Sequence, residues 1–307
     1  FDPKKYALLF IGIFAVTLVV LVAVSEVFLR TLVIPTSNFH KHLDYYHNVQ
    51  DVEIAAFGDS RMSQGFYSQA PSIANLSYAG ESMEQISTKI THFIENKKTD
   101  MIILQVGHHM LADYRFDSDR RDYNKFFAKE TNWREGLILS DPVMRGQLLK
   151  YWRMFFASKG HVPNTSTFTE NGSVVIDFVM NYPPNETQKK YRIVRTAEHT
   201  LKANYKDRKT WGVLEETIER IKGEGIKLCL VSFPVTPFYK ETVLSQKYTQ
   251  EAIDKFHEIA REKNVPYFFY WDLYDGQYEY FRNLDHLNVK GAEKFTKKLV
   301  KDCRNKH

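Results

Sequence analysis

The chain has 307 residues, of which 43% are hydrophobic and 26% charged, a composition that excludes disorder over most of its length. Its net charge of +5 includes no run of lysine and arginine that would form a nucleic-acid patch, so we expect no nucleic-acid partner. The two cysteines, Cys229 and Cys303, have neither a metal-type spacing nor the pattern of a disulfide framework. The sequence leaves open whether they pair.

An uncharged apolar segment lies near the start of the chain. Tyr6 to Ser25 is rich in Leu, Val, Ile and Phe, and a helix of that length spans about 30 Å, the thickness of a bilayer's hydrocarbon core. Lys4 and Lys5 precede it, which favours a cytoplasmic N-terminus with the rest of the chain translocated. The segment predicts a retained single-pass anchor in the cell membrane. A cleaved signal peptide is the alternative, although its apolar core usually has about 7–15 residues.

These observations predict two parts of the chain. We expect residues 1–35 to form the membrane anchor and a neck, and residues 36–307 to form the main domain. The main domain would then be extracytoplasmic, in the periplasm or at the cell surface. Low cysteine usage agrees with a bacterial envelope protein.

Beyond the neck, strand-like segments alternate with helix-like segments. The predicted strands cover 53–57, 73–77, 101–106, 226–233 and 266–271, and the predicted helices begin at Ser82 and cover 211–222, 251–263 and 289–301. Ser82 and Gln85 have the pattern of a capping box. Strands separated by helices predict a three-layer α/β domain with a parallel sheet covered on both faces.

One long stretch breaks this alternation, from His109 to about Thr200. A plain crossover between two strands needs far fewer residues, so we expect a large insertion after the third strand, at about 110–200. Its predicted elements are a helix that begins at Asp141, with Pro142 as its first residue, and a hairpin with its turn at Asn171 and Gly172. We expect it over the carboxyl ends of the strands, where open α/β sheets bind ligands. A cap and a partner-docking surface are equally consistent roles.

The segment Gly58-Asp59-Ser60 directly follows the first predicted strand. A serine there would lie at the carboxyl edge of the sheet, beside helix N-terminal amides that can stabilise a developing oxyanion. Ser60 is therefore a candidate nucleophile. The alternative is a serine that only caps a helix in a tight turn after Gly58.

A candidate partner for this serine lies near the end of the chain. His286 precedes the last predicted helix, with Asn283 and Asp285 close by. A nucleophilic serine needs a base, most often histidine, and that histidine needs an acceptor on its other ring nitrogen. Asn283 and Asp285 are the candidate acceptors. The alternative is a loop histidine that only caps the helix.

Two adjacent histidines, His108 and His109, raise the question of a zinc site. Adjacent side chains on a strand point to opposite faces, and no cluster of Asp, Glu or His completes a ligand set. We therefore expect no metal and no cofactor.

Four segments, taken in order, resemble the blocks of the SGNH, or GDSL-like, family of esterases and acyltransferases. The matching residues are Gly58-Asp59-Ser60, Gly80 in "NLSYAG", Gly107 in "VGHH", and His286 in "NLDHLNVKGA". The resemblance covers about 250 residues by the order of these blocks and implies a three-layer, flavodoxin-like fold. It also implies catalysis by Ser60 and His286, with an oxyanion hole formed by Ser60, Gly80 and His109.

Two positions depart from the family pattern. Asn283 stands where the family has Asp, and a neutral amide stabilises an imidazolium less than a carboxylate does, which makes Asp285 a candidate substitute. His109 stands where the family has Asn, and it can donate to an oxyanion if the correct nitrogen carries the proton. The alternative is a degenerate site that binds without turnover.

The N-terminal span, the "SEVFLR" segment (Ser25 to Arg30) and the "DHLN" ending resemble a membrane-anchored, extracytoplasmic subgroup of this family. It includes relatives of the teichoic-acid D-alanylation protein and of the alginate and cellulose acetylation proteins. This resemblance implies action on O-acyl groups, chiefly acetyl, of an envelope polysaccharide or glycopolymer. Its implied partners are an acyl donor, a glycopolymer acceptor and a multi-span membrane-bound O-acyltransferase.

Two alternatives to such an enzyme remain. One is a binding or scaffold subunit that has the same fold but no catalytic activity. The other is a structural envelope protein in which the Gly-Asp-Ser segment is a coincidence, and it predicts that Ser60 and His286 lie far apart.

Overall fold

The computed structural model describes residues 3–33, 38–116, 152–158, 167–180 and 185–307. The chain forms two compact units, one of residues 1–41 with 129–164 and the other of residues 42–128 with 165–307. The division at residue 35 and the insertion at about 110–200 stay predictions. The predicted helix start at Asp141 lies outside the described residues.

The first unit contains one long apolar helix, α1 (Pro3–Phe28), which continues into a π-helical turn at Leu29–Val33. The apolar side chains of α1 are exposed along most of its length. The helix is long and apolar enough to cross a membrane, although a signal sequence near the N-terminus would have the same properties. Near its end, Phe28 stacks on Trp152 with ring centroids 3.9 Å apart. Because a signal sequence would have the same length and apolar character, the membrane anchoring of the chain and its topology across the membrane stay predictions.

The second unit contains a parallel sheet and a small hairpin. The described strands are β1 (Val52–Phe57), β2 (Ile73–Asn75), β3 (Thr99–Gln105), β4 (Thr167–Phe168), β5 (Val174–Val175), β6 (Lys227–Ser232) and β7 (Tyr267–Phe269). Five of them form one sheet in the order β2-β1-β3-β6-β7, and all its neighbours run parallel. The predicted α/β class is confirmed. The hairpin turn predicted at Asn171 and Gly172 lies between β4 and β5, which pair antiparallel.

Helices separate the strands, as predicted. Apart from α2 (Asn38–Asn48), which begins before residue 42, the described helices of this unit are α3 (Ser60–Gly65), α4 (Met83–Asn96), α5 (Glu186–Glu198), α6 (Lys209–Gly223), α7 (Pro237–Leu244), α8 (Lys247–Glu262) and α9 (Val289–Arg304). The capping box of Ser82 and Gln85 is present at the start of α4. The helices α2, α5 and α7 were not predicted, although Thr236 caps α7 and Pro237 is its first residue, a combination typical of helix starts.

The last helix, α9, closes the core against the sheet. Its apolar residues recur at a spacing of three and four, so Ala292, Phe295 and Leu299 share one buried face. Cys303, on the same helix, forms a disulfide with Cys229 on β6, with Cα atoms 6.0 Å apart. The disulfide therefore joins the C-terminal helix to a central strand.

Removal of this disulfide is expected to lower the free energy of unfolding. The two cysteines are 74 residues apart in sequence. Closing a loop of that size lowers the conformational entropy of the unfolded chain, which stabilises the folded state by about 4 kcal/mol. The Cys229→Ala/Cys303→Ala variant should therefore unfold at a lower urea concentration than the oxidised wild type. Reductant should destabilise the wild type and leave the variant unchanged. Equal midpoints for the oxidised wild type and the variant would contradict a stabilising disulfide.

Candidate active site

The carboxyl ends of the strands bring the predicted site residues to one edge of the sheet. Ser60 follows β1, Gly80 follows β2, and His109 lies in a 3₁₀ turn that follows β3. His286 lies in the loop that precedes α9. In a parallel sheet the ligand crevice forms at this edge.

Ser60 and His286 are hydrogen-bonded although they are 226 residues apart in sequence. Nε2 of His286 lies 2.9 Å from Oγ of Ser60, within the distance at which a base can accept the hydroxyl proton. Ser60 is partly exposed, whereas His286 is buried. This contact contradicts the hypothesis that the Gly-Asp-Ser segment is a coincidence.

The cap of helix α3 is Asp59, and Ser60 is the first residue of the helix. A carboxylate oxygen of Asp59 accepts the backbone N–H of Arg61 at 3.0 Å. The interpretation of Ser60 as a helix cap is therefore wrong, and its hydroxyl is available to His286.

The other ring nitrogen of His286 has two oxygen neighbours. Nδ1 lies 3.0 Å from Oδ1 of Asp285 and 3.1 Å from Oδ1 of Asn283. The Asn283 oxygen also accepts the backbone N–H groups of Asp285 and His286, so it shapes the loop. Only Asp285 can offer a negative charge to an imidazolium, which makes it the stronger candidate of the two acceptors.

Asp285 is buried, and a buried carboxylate is costly unless a positive charge or hydrogen bonds compensate for it. Its second oxygen, Oδ2, lies 3.4 Å from Nη2 of Arg61. The same nitrogen donates to the hydroxyl of Tyr239 at 2.7 Å. Burial raises the pKa of Tyr239, so its hydroxyl keeps its proton. Arg61 thus holds the carboxylate in place behind His286, and Tyr239 positions the guanidinium of Arg61.

Two backbone amides are available at the predicted oxyanion hole. Gly80 has a φ of 88°, a left-handed conformation that glycine adopts at no steric cost, in a turn from Tyr78 to Glu81. Among the described residues, neither the Ser60 nor the Gly80 backbone amide donates to another protein group. Both amides can therefore bind an oxyanion, and their role there stays a prediction.

His109, the third predicted oxyanion donor, makes a different contact. It is buried, and its Nε2 lies 2.9 Å from Oδ2 of Asp59. Burial, and next the positive charge of Arg61, lower the pKa of His109 to about 3, so the ring is neutral. If the Nε2 proton faces the carboxylate, Nδ1 carries none. The oxyanion role of His109 therefore stays a prediction that requires the other tautomer.

His108 and His109 lie on a 3₁₀ turn and not on a strand, so the expected opposite-face arrangement does not apply to them. The His108 ring is buried, and its Nε2 lies 3.3 Å from the Tyr239 hydroxyl. Over the described ranges, no group of three or more His, Cys, Asp or Glu could hold a metal ion.

Asp59 is buried within a network that also fixes the Ser60 turn. Gln105, at the end of β3, donates Nε2 to Oδ1 of Asp59 at 2.8 Å and accepts the Asp59 N–H at 3.0 Å. A Cβ atom on Gly58 would lie 2.5 Å from the Gln105 side chain, so the close approach requires glycine there. Burial by itself would raise the pKa of Asp59, but Arg115 above all holds it well below its usual range.

Sequence reasoning missed four polar residues that support this site: Arg61, Gln105, Arg115 and Tyr239. Each is buried, and each makes a hydrogen bond with a residue more than forty positions away in sequence. The available signal was weak. An arginine directly after the candidate nucleophile, and a glutamine that ends an apolar strand, are polar residues where a buried environment is expected.

Comparison with known proteins gives structural likeness only. No family model matches the chain, and no curated protein matches it. It is similar to the crystal structure of a GDSL-like lipase from Bacteroides thetaiotaomicron, with 12% identity over 88% of this chain and 98% of that one and a TM-score of 0.44. It is also similar to a proposed acylhydrolase from Bacteroides fragilis, with 9% identity over 87% and 95% of the two chains and a TM-score of 0.43. Likeness at this level assigns no activity.

The site by itself defines a class of chemistry. A partly exposed serine, a histidine on its hydroxyl and a buried carboxylate on the opposite ring nitrogen form the arrangement of a serine nucleophile with its general base. Ser60, His286 and Asp285 are therefore the candidate catalytic residues.

Proposed function

We propose that this chain is a membrane-anchored, extracytoplasmic serine esterase or acyltransferase that acts on O-acyl groups of a cell-envelope glycopolymer. The observation that carries the proposal is the 2.9 Å contact between Ser60 Oγ and His286 Nε2, with Asp285 behind the imidazole. The substrate class depends on the resemblance of the N-terminal span and the "DHLN" segment to the envelope acylation subgroup.

The first half of the reaction transfers the acyl group to the protein. Ser60 Oγ attacks the acyl carbonyl carbon while His286 Nε2 takes the hydroxyl proton. Asp285 stabilises the imidazolium, and the amides of Ser60 and Gly80 bind the oxyanion. When the intermediate collapses, the bond from the acyl carbon to the leaving oxygen breaks, and His286 returns the proton to that oxygen.

The second half releases the acyl group from Ser60. Water or a sugar hydroxyl attacks the acyl-serine carbonyl, and His286 takes the proton of the attacking oxygen. The acyl–Ser60 bond then breaks, and Ser60 recovers its proton from His286. Water gives a carboxylic acid and therefore hydrolysis, whereas a sugar hydroxyl gives an O-acylated polymer and therefore transfer.

Two features support an extracytoplasmic location. The apolar helix α1 is long enough to cross a bilayer, and the disulfide between Cys229 and Cys303 is typical of proteins in oxidising compartments. In this proposal a multi-span membrane-bound O-acyltransferase supplies the acyl group from the membrane side.

A second candidate function is a binding or scaffold subunit with the same fold. The observation that favours it is the contact of His109 with Asp59. Because Nε2 of His109 faces the Asp59 carboxylate, this nitrogen is not available to an oxyanion. Such a subunit would bind the acyl donor or the polymer at the same edge of the sheet without forming an acyl-serine.

Covalent labelling separates the two candidates. A fluorophosphonate probe should add once to the wild-type chain, at Ser60, as detected by peptide mass spectrometry, because it requires an activated serine. Ser60→Ala should remove the adduct. The matched control is Ser63→Ala, one helical turn further along α3 and buried, which should label like the wild type. A wild-type chain that binds ester ligands but never labels would favour the binding subunit.

A further inference from the structure

We propose that Arg115 is a positioning residue that holds the two backbone loops of the oxyanion hole at a fixed separation. The inference rests on the proposed serine chemistry. Arg115 lies in a 3₁₀ turn, Asp113–Phe116, outside every segment that carries the family resemblance, and its side chain is buried.

One guanidinium group bridges two loops. Nη2 of Arg115 forms an ion pair with Oδ2 of Asp59, the residue immediately before Ser60. Nη1 donates to the backbone carbonyl of Glu81, the residue immediately after Gly80, at 2.9 Å. The two contacts therefore flank the two amides that are available to an oxyanion.

Each loop is firmly held within itself. Asp59 caps α3 and bonds to Gln105, as described above. The carboxylate of Glu81 accepts the N–H of Tyr78 at 2.9 Å and forms a buried ion pair with Lys89 at 2.5 Å. The turn that carries Gly80 is thus closed at both ends. Because each loop is fixed by its own hydrogen bonds, the two contacts of Arg115 largely set the position of one loop relative to the other.

The chemistry of the guanidinium suits this role better than a simple charge. Arginine presents several donors in one rigid plane, so it can bind a carboxylate and a carbonyl at the same time. A lysine would keep the positive charge beside Asp59 but could not donate to the Asp59 carboxylate and the Glu81 carbonyl with the same geometry. Both terminal nitrogens of Arg115 are engaged by Asp59 and Glu81, so the residue acts through the loops and not on the substrate.

The separation of the two amides matters because an oxyanion hole is sensitive to distance. Its donors must lie about 2.7–3.1 Å from the position that the oxyanion will occupy. A displacement of about 1 Å in a catalytic arrangement costs about 10²-fold in rate. Loss of the Arg115 bridge should therefore slow the chemical step and leave ground-state binding of the ester nearly unchanged.

The test compares Arg115→Lys and Arg115→Met with a matched control in the full chain, purified in detergent. The control is Arg208→Met, because Arg208 pairs with Asp113 on the same 3₁₀ turn, and this ion pair involves neither Asp59 nor Glu81. Two quantities are measured: kinetics with p-nitrophenyl acetate, and the inhibition constant of a trifluoromethyl ketone, whose serine adduct places an oxyanion in the hole. Melting temperatures identify variants that fail to fold.

We expect both Arg115 variants to lower kcat by about 10²-fold and to keep KM within about twofold of the wild-type value. The inhibition constant of the ketone should rise by about the same factor as kcat falls. The pH dependence of kcat/KM should keep its midpoints, because the contact between His286 and Asp285 is untouched. Arg208→Met should behave like the wild type. If Arg115→Met fails to fold, Arg115→Lys decides alone.

Three results would overturn the inference. Wild-type kinetics in Arg115→Lys would mean that only the charge matters. A raised KM with unchanged kcat would assign Arg115 to substrate binding. Equal losses in Arg115→Lys and Arg208→Met would mean a general structural effect. A wild-type chain with no turnover and no adduct on Ser60 would instead overturn the proposed function, and this inference with it.

Discussion

Replacement of Ser60 or His286 by alanine is expected to lower the rate of ester hydrolysis by about 10³-fold or more. Ser60→Ala removes the proposed nucleophile, and His286→Ala removes the proposed base, whose Nε2 lies 2.9 Å from the Ser60 hydroxyl. Because the two side chains act as one unit, the double variant should lose no more activity than either single variant. The measurement is the initial rate with p-nitrophenyl acetate.

Two control variants match the chemistry of these substitutions at other places. Ser63→Ala removes a serine hydroxyl from the same helix, and His257→Ala removes an exposed imidazole from α8. Both should keep the wild-type rate. Full activity in Ser60→Ala would refute the proposed mechanism, and additive losses in the double variant would argue against a coupled pair.

The second large effect is expected at the acceptor behind His286. Asp285→Asn should lower kcat by about 10²–10⁴-fold, because an amide at this place cannot stabilise the imidazolium that forms during proton transfer. Asn283→Ala should lower kcat by about tenfold or less, because the Asn283 side-chain oxygen accepts two backbone N–H groups and chiefly shapes the loop. The comparison requires kcat for both variants at a temperature where both are folded.

Stability has to be measured beside activity in this comparison. Asp285→Asn leaves the guanidinium of Arg61 buried with less compensating charge, and breaking a buried ion pair costs about 3–5 kcal/mol. The Asn283→Asp/Asp285→Asn double variant is the informative partner, since it returns a carboxylate to the position where the resembled family has one. Recovery of kcat in this variant would support the charge argument. A larger loss in Asn283→Ala than in Asp285→Asn would instead make Asn283 the residue that orients His286.

Much of the fold followed from local patterns in the sequence. The apolar runs that became β1, β3 and β6, and the capping box at Ser82, depend on residues close together in the chain. The helix α7 was missed although Thr236 and Pro237 carried a start signal. Its apolar pattern is weak, and a helix of eight residues offers few turns over which a period can be read.

Some residues of the candidate site could likewise be predicted from local sequence patterns, and others could not. Ser60, Gly80 and His286 follow from short motifs placed after strands or before a helix, and their placement at one edge follows from a parallel sheet. The choice between Asn283 and Asp285 could not be made in advance, because the side chain next to a histidine in sequence usually points away from its ring. In the structure the guanidinium of Arg61, on helix α3, contacts one carboxylate oxygen of Asp285, and the other oxygen lies beside Nδ1 of His286.

The sequence by itself thus determined the α/β class, the apolar N-terminal helix, and the serine and histidine of the proposed catalytic site. Only the tertiary structure decided that Cys229 pairs with Cys303, that His109 binds Asp59, and that Arg115 bridges Asp59 and Glu81. The physical reason is the range of the interactions. Hydrophobic periodicity and helix capping act over a few residues, whereas a buried hydrogen bond or disulfide depends on side chains that meet only after the strands have paired.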